Sequence, residues 1–190
     1  MEKIGFYAGS FAPITRGHLS IINEALNDYD KVIVGIGINP SKPQTYSKEE
    51  RVSMITSSLE DLCWEHRYQD LLQLYGNTST SGFEQISHKK DAIDIVSYSD
   101  LTVDCALQNG ATALIRGERI VGDHDAEMQT ALLNRQILEV RKAHLSMATI
   151  PVQREELTYV SSSNAKALCS LGEYIVAQRY VTPSVHAVMM

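Results

Sequence analysis

The sequence predicts a doubly wound α/β domain on a parallel sheet, and two observations carry that reading. Apolar runs alternate with helical patterns along the chain. Strands fall at about 3–8, 31–38, 93–97, 112–116 and 145–150, and helices at about 17–28, 47–61, 100–108, 122–141, 162–170 and 183–189. In addition, Val32-Ile33-Val34-Gly35-Ile36-Gly37-Ile38 is apolar without interruption, as expected of a strand covered on both faces. The expected product is a five-stranded parallel sheet with helices on both faces. Ligands of such a sheet bind beyond the carboxyl ends of its strands.

The first strand, Ile4 to Ala8, runs into Gly9-Ser10-Phe11-Ala12-Pro13-Ile14-Thr15-Arg16-Gly17-His18, and an amphipathic helix follows from Leu19. A helix start presents unpaired N–H groups and the positive end of its dipole, and glycines let the backbone approach a phosphate. This order makes an anion site, although any βα turn can carry glycine and one histidine for purely structural reasons. Further along, Ser47-Lys48-Glu49-Glu50 has the form of a capping box opening a helix, and Thr182-Pro183 opens the last one. Residues of about 64–92 break the pattern. They are polar and turn-rich, and read as an irregular insertion in a single domain of residues 1–190, a surface loop with a short extra element at Leu71 to Tyr75. Trp64, at the start of that segment, reads as a packing residue rather than a base-stacking one.

The 190 residues suffice for one core, and 44% hydrophobic with 21% charged residues is ordinary for a soluble domain. A net charge of −6 argues against a general nucleic-acid or membrane-surface binder. No apolar run approaches a membrane span and no signal-peptide pattern opens the chain. Cys63, Cys105 and Cys169 have no metal spacing and read as reduced thiols of a cytoplasmic protein. His66, His88, His124, His144 and His186 also lack ligand spacing, so no residue is assigned to a metal.

Further clusters sit where strands are expected to end. Asn39-Pro40-Ser41-Lys42 follows the second strand and brings a lysine suited to a phosphate, against the alternative of a solvated loop lysine. Ile115-Arg116-Gly117-Glu118-Arg119 follows the fourth, with two arginines able to grip phosphates. Asp123 and Glu127 then share a helix face, with a solvated face as the alternative. Tyr159-Val160-Ser161-Ser162-Ser163 offers hydroxyls at a helix start, where capping alone is the competing reading. Ser99-Asp100-Leu101-Thr102 lines an acceptor pocket or caps the next helix, and capping is the preferred role for Ser99 and Asp100.

The pattern G-x-F-x-P-x-x-x-G-H resembles the signature of the HIGH-type nucleotidyltransferases. With N-P-S-K, S-D-L, R-G-x-R-x-x-x-D-x-x-x-E-M and S-S-S in order, the chain outside about 64–92 is similar to the bacterial phosphopantetheine adenylyltransferase family. That resemblance implies a Rossmann-like nucleotidyltransferase fold, usually assembled as a homohexamer. It implies transfer of AMP from ATP to 4′-phosphopantetheine with Mg²⁺, giving dephospho-coenzyme A and pyrophosphate in coenzyme A biosynthesis. Carried over, His18, Lys42 and Arg119 would be catalytic, and Ser10, Lys42, Thr102 and Arg116 would hold the acceptor. ATP would meet Ser10, Phe11, His18, Gly117, Glu118, Arg119 and Glu127. Leu157, Thr158, Tyr159, Val160, Ser161, Ser162 and Ser163 would close over it. The chain departs from the family at Ala12, usually Asp, at Thr102 and Glu118, usually apolar, and at Leu157, where an aromatic is common. Two alternatives stay open: a nucleotidyltransferase for another phosphate acceptor such as nicotinamide mononucleotide, and a non-catalytic nucleotide or coenzyme A sensor.

Overall fold

A computed structural model describes residues 2–39, 43, 45–73, 82–118 and 124–190, with the side chains of 72 and 124–131 outside that description. The strands are β1 (Ile4–Gly9), β2 (Lys31–Gly37), β3 (Ile93–Tyr98), β4 (Ala113–Glu118) and β5 (Ser146–Pro151). They pair in parallel in the order β3-β2-β1-β4-β5. The chain therefore winds outward from β1 in one direction through β2 and β3, then returns to the other side of β1 through β4 and β5. The point where winding reverses lies between β1 and β4, and a crevice opens there at the strands' carboxyl ends.

Alternation along the strands splits the core into two layers. Tyr7, Val32, Val34, Ile36 and Ile115 face one side, where they pack with α1 (Arg16–Asp28), α2 (Lys48–Gln73), α3 (Glu84–His88) and α8 (Pro183–Met189). Phe6, Ile33 and Leu114 face the other, with α4 (Thr102–Gln108) and α5 (His124–Arg141). Helices thus cover both faces, and the apolar run of β2 is explained by it. The remaining helices are α6 (Ser162–Ser170) and α7 (Tyr174–Ala177).

Four expectations need correction. The helix expected to stop near 61 continues to Gln73, and Glu84–His88 is helical with a 3-10 turn at Lys90–Ala92, so much of the supposed irregular insertion is regular structure. Residues 74–81 lie outside the described residues. The periodicity failed because the buried stripe of α2 (Met54, Ile55, Leu59, Leu62) ends at Leu62. Beyond it the large apolar residues turn outward, and Trp64 is 69% exposed rather than packed in the core, with Arg67 lying 5.6 Å over its ring. Ser99 and Asp100 do not cap α4, whose N-cap is Leu101 and which has no side-chain cap. Nor is His66 a simple surface residue: its ring stacks edge-on against His88 at 5.1 Å.

Candidate active site

The turn from β1 into α1 forms one wall of the site. Thr15 is fully buried and is the N-cap of α1. Its hydroxyl accepts from the His18 N–H, and its own backbone N–H donates to His18 Nδ1 at 3.1 Å. A backbone N–H only donates, so Nδ1 is an acceptor and the ring proton sits on Nε2. The imidazole is thereby locked into the tautomer that presents an Nε2–H donor. Its orientation is fixed further by Phe11, edge-on at 5.2 Å, which in turn meets Tyr7 at 5.4 Å. Phe11 is fully buried, so only its backbone is open to a ligand.

Glycine is required at two positions here by close approach. A Cβ on Gly9 would sit 2.9 Å from the Phe11 ring, and one on Gly17 would sit 3.0 Å from the Val160 carbonyl. The second contact brings the segment before α6 against α1. The Ser162 hydroxyl adds to it by donating to the Pro13 carbonyl at 2.8 Å, while Ser161 caps α6 by accepting from the Asn164 N–H.

A cavity of about 350 Å³ lies at the reversal point, lined among others by Ser10, Gly17, His18, Thr102, Arg116 and Gly117. Its size is that of a small-molecule site. Three separate strand ends contribute: β1 through Ser10, β4 through Arg116 and Gly117, and β3 through Thr102 at the start of the helix that follows it. The Thr102 hydroxyl is tied to Tyr98 Oη at 2.9 Å, and burial pushes the Tyr98 phenol above its ordinary value. Tyr7, Ile21, Asn134 and Met147 line the same space and were not singled out in the sequence. For Tyr7 a signal existed, since it stands two residues before Gly9 at the end of the first strand.

Of the other sequence candidates, some lie outside the cavity lining and some outside the described residues. Leu157 and Val160 turn their side chains into the core, Tyr159 is 66% exposed, and residues 157–163 contribute nothing to the cavity lining. Glu118 is the last residue of β4 and also stays outside the lining. Lys42, Arg119 and Asp123 lie outside the described residues, as does the Glu127 side chain, although its backbone belongs to α5. Among the described residues no group of three or more His, Cys, Asp or Glu side chains is placed to hold a metal ion.

A parallel sheet with an anion-facing helix start at its reversal point, beside a cavity edged by arginine, is the frame of a nucleotidyltransferase. A family model described as cytidylyltransferase-like matches residues 6–168. Solved adenylyltransferases share the fold. A Plasmodium falciparum nicotinic acid mononucleotide adenylyltransferase complexed with NaAD superposes with a TM-score of 0.59 at 15% identity, covering 98% of this chain and 94% of that one. The bifunctional NMN adenylyltransferase/ADP ribose pyrophosphatase of Francisella tularensis gives 0.53 at 17%, covering 95% and 45%. In sequence, a Roseobacter denitrificans phosphopantetheine adenylyltransferase is 30% identical over 188 residues, 99% of this chain and 95% of that one. The Allorhizobium ampelinum protein of the same name is 39% identical over 134 residues, 70% of this chain and 68% of its own length. The chain belongs to the phosphopantetheine adenylyltransferase family.

Proposed function

We propose that this enzyme transfers the adenylyl group of ATP to 4′-phosphopantetheine, releasing pyrophosphate and dephospho-coenzyme A. The observation that carries the reading is the shared lining of one cavity by Ser10, Gly17 and His18 from the β1–α1 turn and by Arg116 and Gly117 from β4. The choice of acceptor rests on relatives named phosphopantetheine adenylyltransferase, one of them aligned over 99% of the chain.

A phosphate oxygen of the acceptor attacks the α-phosphorus of ATP in line, and pyrophosphate leaves from the opposite side. The acceptor supplies its own nucleophile, so no covalent intermediate on the protein is needed. The work of the chain is positioning and neutralisation of developing charge. His18 donates from Nε2 to an oxygen of the transferring phosphate. Lys42 and Arg116 hold the acceptor phosphate, and Thr102 lines the acceptor's path. Arg119, Gly117, Glu118 and Glu127 belong to the nucleotide side. Mg²⁺, which the family resemblance implies, would be held mainly by the nucleotide phosphates, whose oxygens are hard ligands. Bound there, it would neutralise phosphate charge. A cytoplasmic homohexamer completes the reading, by the same resemblance. Among the described residues no helix is long and apolar enough to cross a membrane.

The test is pyrophosphate release from ATP and Mg²⁺ with and without 4′-phosphopantetheine. Acceptor-dependent release with dephospho-coenzyme A as product is the expected result. Release that requires nicotinamide mononucleotide instead moves the acceptor, and ATP binding without release under any acceptor overturns catalysis in favour of a sensor.

A further inference from the structure

Arg51 lies on the first turn of α2 and is only 1% exposed, which makes it the largest fully buried side chain among the described residues. A buried guanidinium normally needs a carboxylate. This one has neutral partners instead: Nη1 donates to the Ser10 carbonyl at 3.1 Å and to the Gly37 carbonyl at 3.3 Å, and Nε donates to the Ser47 carbonyl at 3.3 Å. It therefore joins three pieces of the sheet's carboxyl edge: the loop after β1, the end of β2 and the start of α2.

The Ser10 carbonyl belongs to the same peptide group as the Phe11 N–H. In a trans peptide these point to opposite sides of the plane. With the carbonyl drawn toward Arg51, the Phe11 N–H faces away from it, and it makes no hydrogen bond to a described residue. Phe11 also has φ of 46°, in the left-handed region that a non-glycine residue rarely adopts. Such a conformation persists only where its surroundings hold it, and it clusters at ligand clamps. The burial of the Phe11 ring supplies one restraint and Arg51 the other. Hydrogen bonding at the carbonyl by a cation also polarises the peptide and strengthens its N–H as a donor.

We propose that Arg51 is a positioning residue of the transfer site: its buried guanidinium sets the Ser10–Phe11 peptide so that the Phe11 N–H donates to a phosphate oxygen of the nucleotide. This rests on the adenylyltransferase reading. It adds a buried positive charge behind the anion loop that never touches substrate.

The experiment compares wild type with Arg51→Gln by calorimetry, using adenosine, ATP with Mg²⁺, and inorganic tripolyphosphate, without acceptor. The expected result is a loss of about tenfold or more in affinity for ATP and tripolyphosphate, with adenosine changed less than about twofold. Equal losses for all three, or none, overturn the proposal, because a merely structural role loosens the whole site. Should the variant fail to fold, the wild type decides. The chain has three phenylalanines, so selective ¹⁵N-Phe labelling gives a simple amide spectrum. The Phe11 amide is expected to shift most on addition of tripolyphosphate, and an unmoved Phe11 signal overturns the proposal. None of these readouts needs turnover, so failure of acceptor-dependent pyrophosphate release counts against the proposed function and leaves the Arg51 test standing.

Discussion

Two capping boxes start two helices of this chain, and they differ in the residue at the third helical position. At α2 the box is ordinary: Ser47 Oγ accepts from the Glu50 N–H at 3.1 Å, and Glu50 accepts from the Ser47 N–H at 2.6 Å. It stands on the surface and completes a helix end. At α1 the third position is His18, whose Nδ1 does the work of the carboxylate toward the Thr15 N–H. A carboxylate there would spend its acceptors on the backbone and set a negative charge against an incoming phosphate. An imidazole has a second nitrogen, and capping through Nδ1 leaves a donor at Nε2. One side chain thus finishes the helix and equips the anion site. Thr15 is buried in the turn that forms one wall of the site, whereas Ser47 stands exposed on the surface.

The comparison is broken most strongly by separating the two jobs of His18. His18→Ala removes both, and turnover is expected to fall by roughly a hundred- to a thousandfold, the typical cost of about 3–4 kcal/mol for losing one transition-state donor. The cap goes with it, so the melting temperature falls as well. His18→Gln keeps an ordinary capping-box residue at that position and is expected to lose turnover to a similar degree while melting closer to wild type. Parallel kinetics and thermal unfolding check both, and near wild-type turnover from either variant contradicts the role given to His18. Thr15→Ala comes next. It deletes a buried N-cap hydroxyl at a cost of about 1–2 kcal/mol, measured by denaturant unfolding. It also removes the hydroxyl that lies 2.9 Å from His18 Nδ1 and leaves the backbone N–H of residue 15 to hold the ring with Phe11, so kcat is expected to drop while stability falls only modestly.

Which parts of this were legible in the sequence follows from how local each signal is. The alternation of strands and helices, the glycines of the β1–α1 turn and the Ser47 cap are local, and each falls within a residue or two of its place, apart from the end of α2 and the short helices α3 and α7, which the sequence reading did not contain. The neighbourhood of Ser10, His18, Thr102, Arg116 and Gly117 in one cavity needed only the rule that ligands meet a parallel sheet where its winding reverses. Arg51 was invisible because its partners are backbone carbonyls 4, 14 and 41 residues away, and carbonyls carry no side-chain signature. The extension of α2 past Leu62 was missed for the opposite reason. Trp64, Tyr68 and Leu71 are apolar but exposed, so the stripe that marks a buried helix face misleads once the helix leaves the core. Leu157 and Val160 show a third limit: position after the fifth strand was right, yet their side chains serve the core.

The smallest expected effect belongs to the ordinary box, and its pH dependence gives it a signature. The Ser47 N–H donates to Glu50 and holds its carboxyl below the ordinary value of 4.5. A carboxyl lowered in the folded state contributes stability that is fully present above its unfolded value and is lost as pH falls through the folded one. Glu50→Ala is therefore expected to lower the melting temperature slightly at neutral pH, with a gap from wild type that closes as the pH falls below about 4.5. Adenylyl transfer should be unchanged, since Glu50 lies on the exposed side of α2, away from the cavity. Melting curves at stepped pH read the first part and a pyrophosphate assay the second. A gap that persists into acid would mean that Glu50 acts through packing rather than charge. A loss of turnover would mean that the two boxes are not the separate devices their third residues make them.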